Sequence, residues 1–71
     1  MFYRWYRIFG VSERMFEKMK GTFDDDIIAF REESGIIHIS KCMNIFEAWK
    51  MRRQIKKWNK ESEHKLYLVR V

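Results

Sequence analysis

Lys50, Arg52, Arg53, Lys56, Lys57 and Lys60 stand close together in the stretch NIFEAWKMRRQIKKWNK, which has no acid between Glu47 and Glu61. Ammonium and guanidinium groups at this density suit phosphate oxygens. They displace counterions from a polyanion, and an aromatic among them, here Trp49, can stack on a base or anchor a partner. The bland alternative is a solvated helix face that keeps a small protein soluble. Arg4 and Arg7, interleaved with aromatics in FYRWYRIF, form a second candidate of the same kind. The net charge of +5 attracts polyanions without naming one: nucleic acid, an acidic protein surface and anionic lipid all satisfy it.

The remaining reactive side chains form no recognisable constellation. His38 and Cys42 are four apart, and His64 with Asp24, Asp25 and Asp26 could in principle complete a metal site, but the spacing matches no known ligand pattern. No metal and no cofactor is expected. His38 reads as an outward sheet residue, His64 as a loop residue and Cys42 as a small, buried or half-buried hydrophobe. The acidic run, with Glu32 and Glu33, would have to converge for carboxylate or two-metal catalysis, whereas consecutive acids alternate along a strand or spread around a turn. Its sign opposes that of the basic stretch, so the two patches either compensate each other within a monomer or meet in a homodimer. Ser12, Ser34, Ser40, Ser62 and Cys42 lack a nucleophile elbow or triad setting. Neither an enzyme nor a small-molecule substrate is expected.

These residues need elements to position them, and the chain is short. Seventy-one residues hold one domain, 1–71, near the lower size limit for an independent core, and three Trp, six Phe, three Tyr and five Met supply the apolar mass. A single cysteine forbids an internal disulfide and fits a reducing compartment. MFYRWYRIF has no unbroken apolar core, and nowhere do about 18 apolar residues run together, so neither an export signal nor a membrane span is expected and the location reads as cytoplasmic.

Residues 2–9 are aromatic or β-branched apart from the two arginines, which predicts a strand. Period two places Phe2, Arg4, Tyr6 and Ile8 on one face and Tyr3, Trp5, Arg7 and Phe9 on the other. Both faces are largely apolar, so the strand should be central, with either Tyr3, Trp5 and Arg7 or Phe2, Arg4 and Tyr6 left on an open sheet. Gly10 breaks the pattern, and Ser12 stands as N-cap to a short helix over 13–20, with Val11 and Phe16 at hydrophobic-staple spacing and Met15, Phe16 and Met19 as its apolar side. Glu33, Ser34 and Gly35 form the turn of a hairpin over 26–40, with Phe30, Ile37 and Ile39 as its expected core-facing residues.

Asn44 to Lys60 is predicted as the long helix. At 100° per residue, Ala48, Met51, Ile55 and Trp58 share an arc that must face the sheet; Lys50, Arg53, Lys56, Lys57 and Lys60 fall elsewhere, and Trp49 lies at the boundary. Leu66 and Leu68 then alternate with Tyr67, Val69 and Val71 in a final strand that should neighbour the first. The order is β-α-β-β-α-β, which predicts an α+β fold of the ferredoxin-like, or split βαβ, pattern: a small two-layer sandwich with a mostly antiparallel four-stranded sheet and two helices on one face.

Two resemblances attach to this reading. The topology, with aromatics and arginines on an open sheet, is similar to that of RNA recognition motifs, which would imply stacking of single-stranded bases; the third strand, GIIHIS, departs from the aromatic-rich pattern of that family. GVSERMF, Gly10 to Phe16, resembles the turn and recognition-helix start of a small winged helix of the excisionase type. It would imply that Ser12, Glu13, Arg14 and Lys18 face DNA, although Tyr6 occupies the position where close helix packing asks for Ala or Gly. The function expected first is a non-catalytic nucleic-acid-binding accessory protein using the basic helix face. The second is a protein-binding modulator, of the kind encoded by compact viral or mobile-element genes, that blocks an acidic site on a larger machine.

Overall fold

The computed structural model describes residues 2–23 and 26–71. Along the chain lie β1 (Arg4–Val11), α1 (Glu13–Met19), a single 3₁₀ turn (Lys20–Thr22), β2 (Ile27–Arg31), β3 (Ile37–Met43), α2 (Ile45–Trp58) and β4 (Tyr67–Arg70). The strands form one sheet in the order β2-β3-β1-β4, and every neighbouring pair is antiparallel. β3 therefore separates β1 from β2, β1 separates β3 from β4, and the first and last strands are neighbours as expected.

Local chemistry sets the helix starts. The Ser12 side chain accepts from the Met15 amide at 3.2 Å, so this polar group is satisfied although buried. α2 opens with a reciprocal capping box: the Glu47 amide donates to Asn44 Oδ1 at 2.8 Å, and the Asn44 amide donates to Glu47 Oε1 at 3.1 Å. At the other end, the Asn59 side chain accepts from the Leu66 amide and donates to the Leu66 carbonyl, tying the helix terminus to the entry of β4.

One core lies between the helices and one face of the sheet. Ile8, Val11, Ile37 and Ile39 from the strands meet Met15 and Met19 of α1, Ile55 and Trp58 of α2, and Leu66. Tyr6, Met43 and Ala48 form an adjoining cluster, with Met51 and Leu68 packed against both. Each fully buried Ile or Met contributes on the order of 1.5–3 kcal/mol.

β1 runs two residues further than its sequence pattern suggests, because it passes through a bulge. The pairing with β3 shifts between Ile8 and Val11, so these two residues, three apart, both point inward. Gly10 makes this possible at φ +83, and a Cβ there would sit 2.3 Å from the Lys65 carbonyl oxygen.

Two expectations are corrected. Phe30 does not face the core: it is 64% exposed, because it pairs with His38 while the inward Ile37 and Ile39 pair with Arg31 and Ala29. Alternation fixes the rest of β2 once the isoleucines of β3 are buried, and Phe30 falls on the outer face. The helix-turn-helix likeness also fails, since Arg4–Val11 is a strand and no helix precedes α1 among the described residues. Arg14 and Lys18 of α1 are moreover paired with Glu63 and Glu61.

Candidate polyanion-binding face

The outer arc of α2 is built by subtraction. Ala48, Ile55 and Trp58 are buried and Met51 partly so, which turns Lys50, Arg53, Lys56 and Lys57 to solvent, with Lys60 exposed just beyond the helix. Trp49 is 57% exposed, and the Arg53 guanidinium sits over its ring, 5.1 Å from the centroid. Phe46 is exposed as well, so the helix presents two uncovered rings with its cations. Arg52 leans toward β1, over the Tyr6 ring at 6.0 Å. A groove of about 430 Å³ runs between α2 and the approach to β4, walled by Trp49, Arg52, Arg53, Lys56 and Leu66.

The acids that could neutralise this arc are engaged elsewhere. Glu47 is held in the capping box. Glu61 turns to Lys18 at 2.5 Å, and Glu63 pairs with Arg14. Glu13 pairs with Arg31, and Glu17 with Lys20 at 2.8 Å. Among the described residues, Lys50, Arg52, Arg53, Lys56, Lys57 and Lys60 make no ion pair. Lys50 and Arg53, Arg52 and Lys56, Arg53 and Lys56, and Arg53 and Lys57 are like-charged neighbours at helical spacings of three or four. Each such pair costs about 0.2–0.5 kcal/mol, partly offset for Lys56 and Lys57 by the negative end of the helix.

Arg4 and Arg7 lie on opposite faces of β1, and only Arg4 comes near this arc. Arg4 lies on the helix-facing side of β1, in a cleft of about 550 Å³ shared with Phe2, Tyr6, Ile45, Phe46 and Arg70. Arg7 lies on the outer face of the sheet, where its Nε donates to Ser40 Oγ at 3.2 Å. The outer face of β1 therefore carries Trp5, Arg7 and Phe9, and Tyr3 continues the alternation. Across the sheet the rings adjoin: Tyr67 stacks on Phe9 at 5.3 Å, Phe9 meets His38 edge-on at 4.8 Å, and His38 is parallel to Phe30 at 6.4 Å. This ladder crosses all four strands. Sequence reasoning assigned Phe30 to the core and so missed its far end; the signal that could have found it is the parity of Phe30 against Ile37 and Ile39 across the turn.

The metal-type residues are kept apart. His38 is flanked by Phe9 and Phe30 and lies 3.3 Å from Glu32, while the Ser62 hydroxyl donates to the His64 carbonyl in the loop before β4. Among the described residues, no three His, Cys, Asp or Glu side chains converge. Asp26 accepts from Lys41 Nζ at 2.8 and 2.9 Å, and this hydrogen bond holds its carboxyl below the usual Asp range. Asp24 and Asp25, the rest of the acidic run, lie outside the described residues. No helix among the described residues is long and apolar enough to cross a membrane.

Comparison of the chain with protein-family models, with curated proteins and with solved structures finds no match.

Proposed function

We propose that the chain is a non-catalytic nucleic-acid-binding accessory protein that contacts backbone phosphates with Lys50, Arg53, Lys56, Lys57 and Lys60 and places Trp49 against a base or sugar. The supporting observation is the set of α2 cations that have no ion-pair partner among the described residues while the neighbouring acids are committed to α1 and β2. Cations held beside one another at a cost to the helix gain when phosphate replaces their diffuse counterions. The exposed Trp49, with Arg53 over its ring, adds a surface suited to stacking. Arg7 stands off this arc on the outer face of the sheet, and Arg4 shares a cleft with Phe46 at the start of α2, where it adds a cation beside that ring. We further read the interleaved strand order β2-β3-β1-β4 as the ferredoxin-like, split βαβ arrangement, which leaves α2 as a rigid platform on one side of the sheet. The single cysteine is consistent with work in the cytoplasm.

A fluorescence titration of a generic single- or double-stranded oligonucleotide at several salt concentrations tests this reading. Affinity should fall steeply with added salt, and Arg53→Glu with Lys57→Glu should weaken binding roughly a hundredfold while leaving the circular dichroism spectrum unchanged. No binding by the native chain even at low salt would overturn it.

A further inference from the structure

The sheet has a helix layer on one side only, and the uncovered side is strongly apolar. Of the eleven large hydrophobic residues that are exposed among the described residues, Trp5, Ile28, Phe30, Tyr67 and Val69 lie on this face, and Tyr3 and Val71 continue its alternation just outside the strands. Seven of eleven thus fall on one surface, so the exposure is not scattered. Strands of eight, five, seven and four residues, with some 3.3 Å per residue and about 4.8 Å between neighbours, make a face of roughly 400 Å² in projection. A patch of this size lies in the range that is often functional on a monomer, and it suits a weak, reversible contact that comes apart on dilution.

Charge identifies the occupant. Of the strand positions on this face only Arg7 carries a fixed charge, and Ser40 already accepts from it; none is an acid. A nucleic acid strand laid here would find rings but almost no cation for its phosphates. A second copy of this chain meets a surface equally apolar outside Arg7, whose guanidinium donates to Ser40 and lies 6.0 Å from the Phe9 ring centroid, and a two-fold interface matches the same patch to itself. The obstacle to self-association is the net charge of +5, concentrated on the outer arc of α2. That arc lies on the opposite side of the core. With sheets packed face to face about 10 Å apart and a helix layer about 10 Å beyond each, the two basic arcs end up some 30 Å apart, about three screening lengths at 0.1 M salt.

We infer that the open sheet face is the self-association surface of this protein, forming a two-fold dimer through Trp5, Phe30, Tyr67 and Val69 with the basic helices outermost. This contact differs from a dimer of the acidic run against the basic stretch, because it is made by the apolar side of the sheet and uses neither of them.

Sedimentation of the full chain across concentrations tests the inference. At about 100 µM the native chain should run at twice its 8.9 kDa mass and dissociate on dilution. Trp5→Glu with Val69→Glu buries unpaired carboxylates in the contact and should weaken the dimer roughly a hundredfold with an unchanged circular dichroism spectrum, whereas Trp49→Glu should leave it intact. Should that double variant not fold, Ile28→Lys with Phe30→Lys on β2 addresses the same face. Hydroxyl-radical footprinting of the native chain gives a reading without mutation: Trp5, Phe30 and Tyr67 should become protected as concentration rises, and Trp49 should not. A native chain that stays monomeric, a dimer that survives both double variants, or ring protection appearing only when an oligonucleotide is added to a monomer would each overturn it. Oligonucleotide binding is read separately, so its failure leaves this result standing.

Discussion

The outer arc of α2 and the open face of the sheet are both exposed, both carry aromatic rings, and lie on opposite sides of one core. On α2 the rings Phe46 and Trp49 stand among cations that have no ion-pair partner within the described residues; on the sheet, Trp5, Phe30 and Tyr67 stand among Ile28, Val69 and one arginine already bonded to Ser40. A ring beside several positive charges suits a polyanion and resists a second copy. Rings beside aliphatics suit a second copy and offer phosphates little. Ring content alone therefore does not identify a binding surface; the fixed charge that accompanies it does.

The largest effect on this contrast should come from the residue that holds the two surfaces apart. Gly10 carries the bulge that lets Ile8 and Val11 both face inward, which in turn keeps Trp5, Arg7 and Phe9 outward. Gly10→Ala meets the Lys65 carbonyl and must adopt a left-handed backbone, so urea unfolding should show a loss of about 2–4 kcal/mol. Gly35→Ala also has positive φ, at +92, but open space around it, and should cost less than Gly10→Ala. Equal losses would mean that the bulge is not what sets the face.

Next in size is a crossed pair of variants. Arg53→Glu with Lys57→Glu should lower oligonucleotide affinity roughly a hundredfold and flatten its salt dependence by about two slope units, while the dimer constant stays put. Trp5→Glu with Val69→Glu should do the reverse. Loss of both properties in either variant would show that the two surfaces act as one.

The arc on α2 was legible in the sequence, because a helix displays its faces at a fixed 100° step and the buried Ala48, Ile55 and Trp58 fix the phase. Its lack of ion-pair partners was only half legible: the stretch without acids is visible, but the turn of Glu61 and Glu63 toward Lys18 and Arg14 is tertiary. The sheet face was not legible. β1 is apolar on both sides, so alternation offers two equal answers, and the choice depends on which side the helices cover. Phe30 was misread for a related reason: β2 is an edge strand with little burial of its own, and its parity is imposed by β3 across the turn.

A smaller effect concerns the cost of the arc itself. Four like-charged pairs on α2 at about 0.2–0.5 kcal/mol each oppose five exposed or partly exposed ion pairs, worth roughly 0–1 kcal/mol each, so these two sets nearly cancel. The overall charge of +5 then decides the sign, and salt should stabilise the fold. Unfolding at about 20 and about 300 mM salt should differ by around 0.5 kcal/mol in favour of high salt. A decrease would mean that the ion pairs around α1 outweigh the repulsion on α2.

The smallest effect separates the cations that have partners from those that do not. The Arg14 guanidinium, and after it the Ser12 hydroxyl, hydrogen-bond Glu63 and hold its carboxyl below the usual Glu range, as Lys41 does for Asp26. Because both values are lower in the folded state than in the unfolded one, the stability they add is present above the unfolded values and disappears as pH falls through the folded ones. Both carboxylates are exposed, so the loss should be shallow. Carboxyl NMR titration should show Arg14→Ala returning Glu63 toward the ordinary range without moving Asp26, and Lys41→Met doing the converse. Neither substitution touches the outer arc of α2, so neither should weaken oligonucleotide binding as Arg53→Glu does. If Arg14→Ala weakened it equally, the cations around α1 would share the phosphate contact, and the arc on α2 would no longer be the surface that distinguishes this protein's two sides.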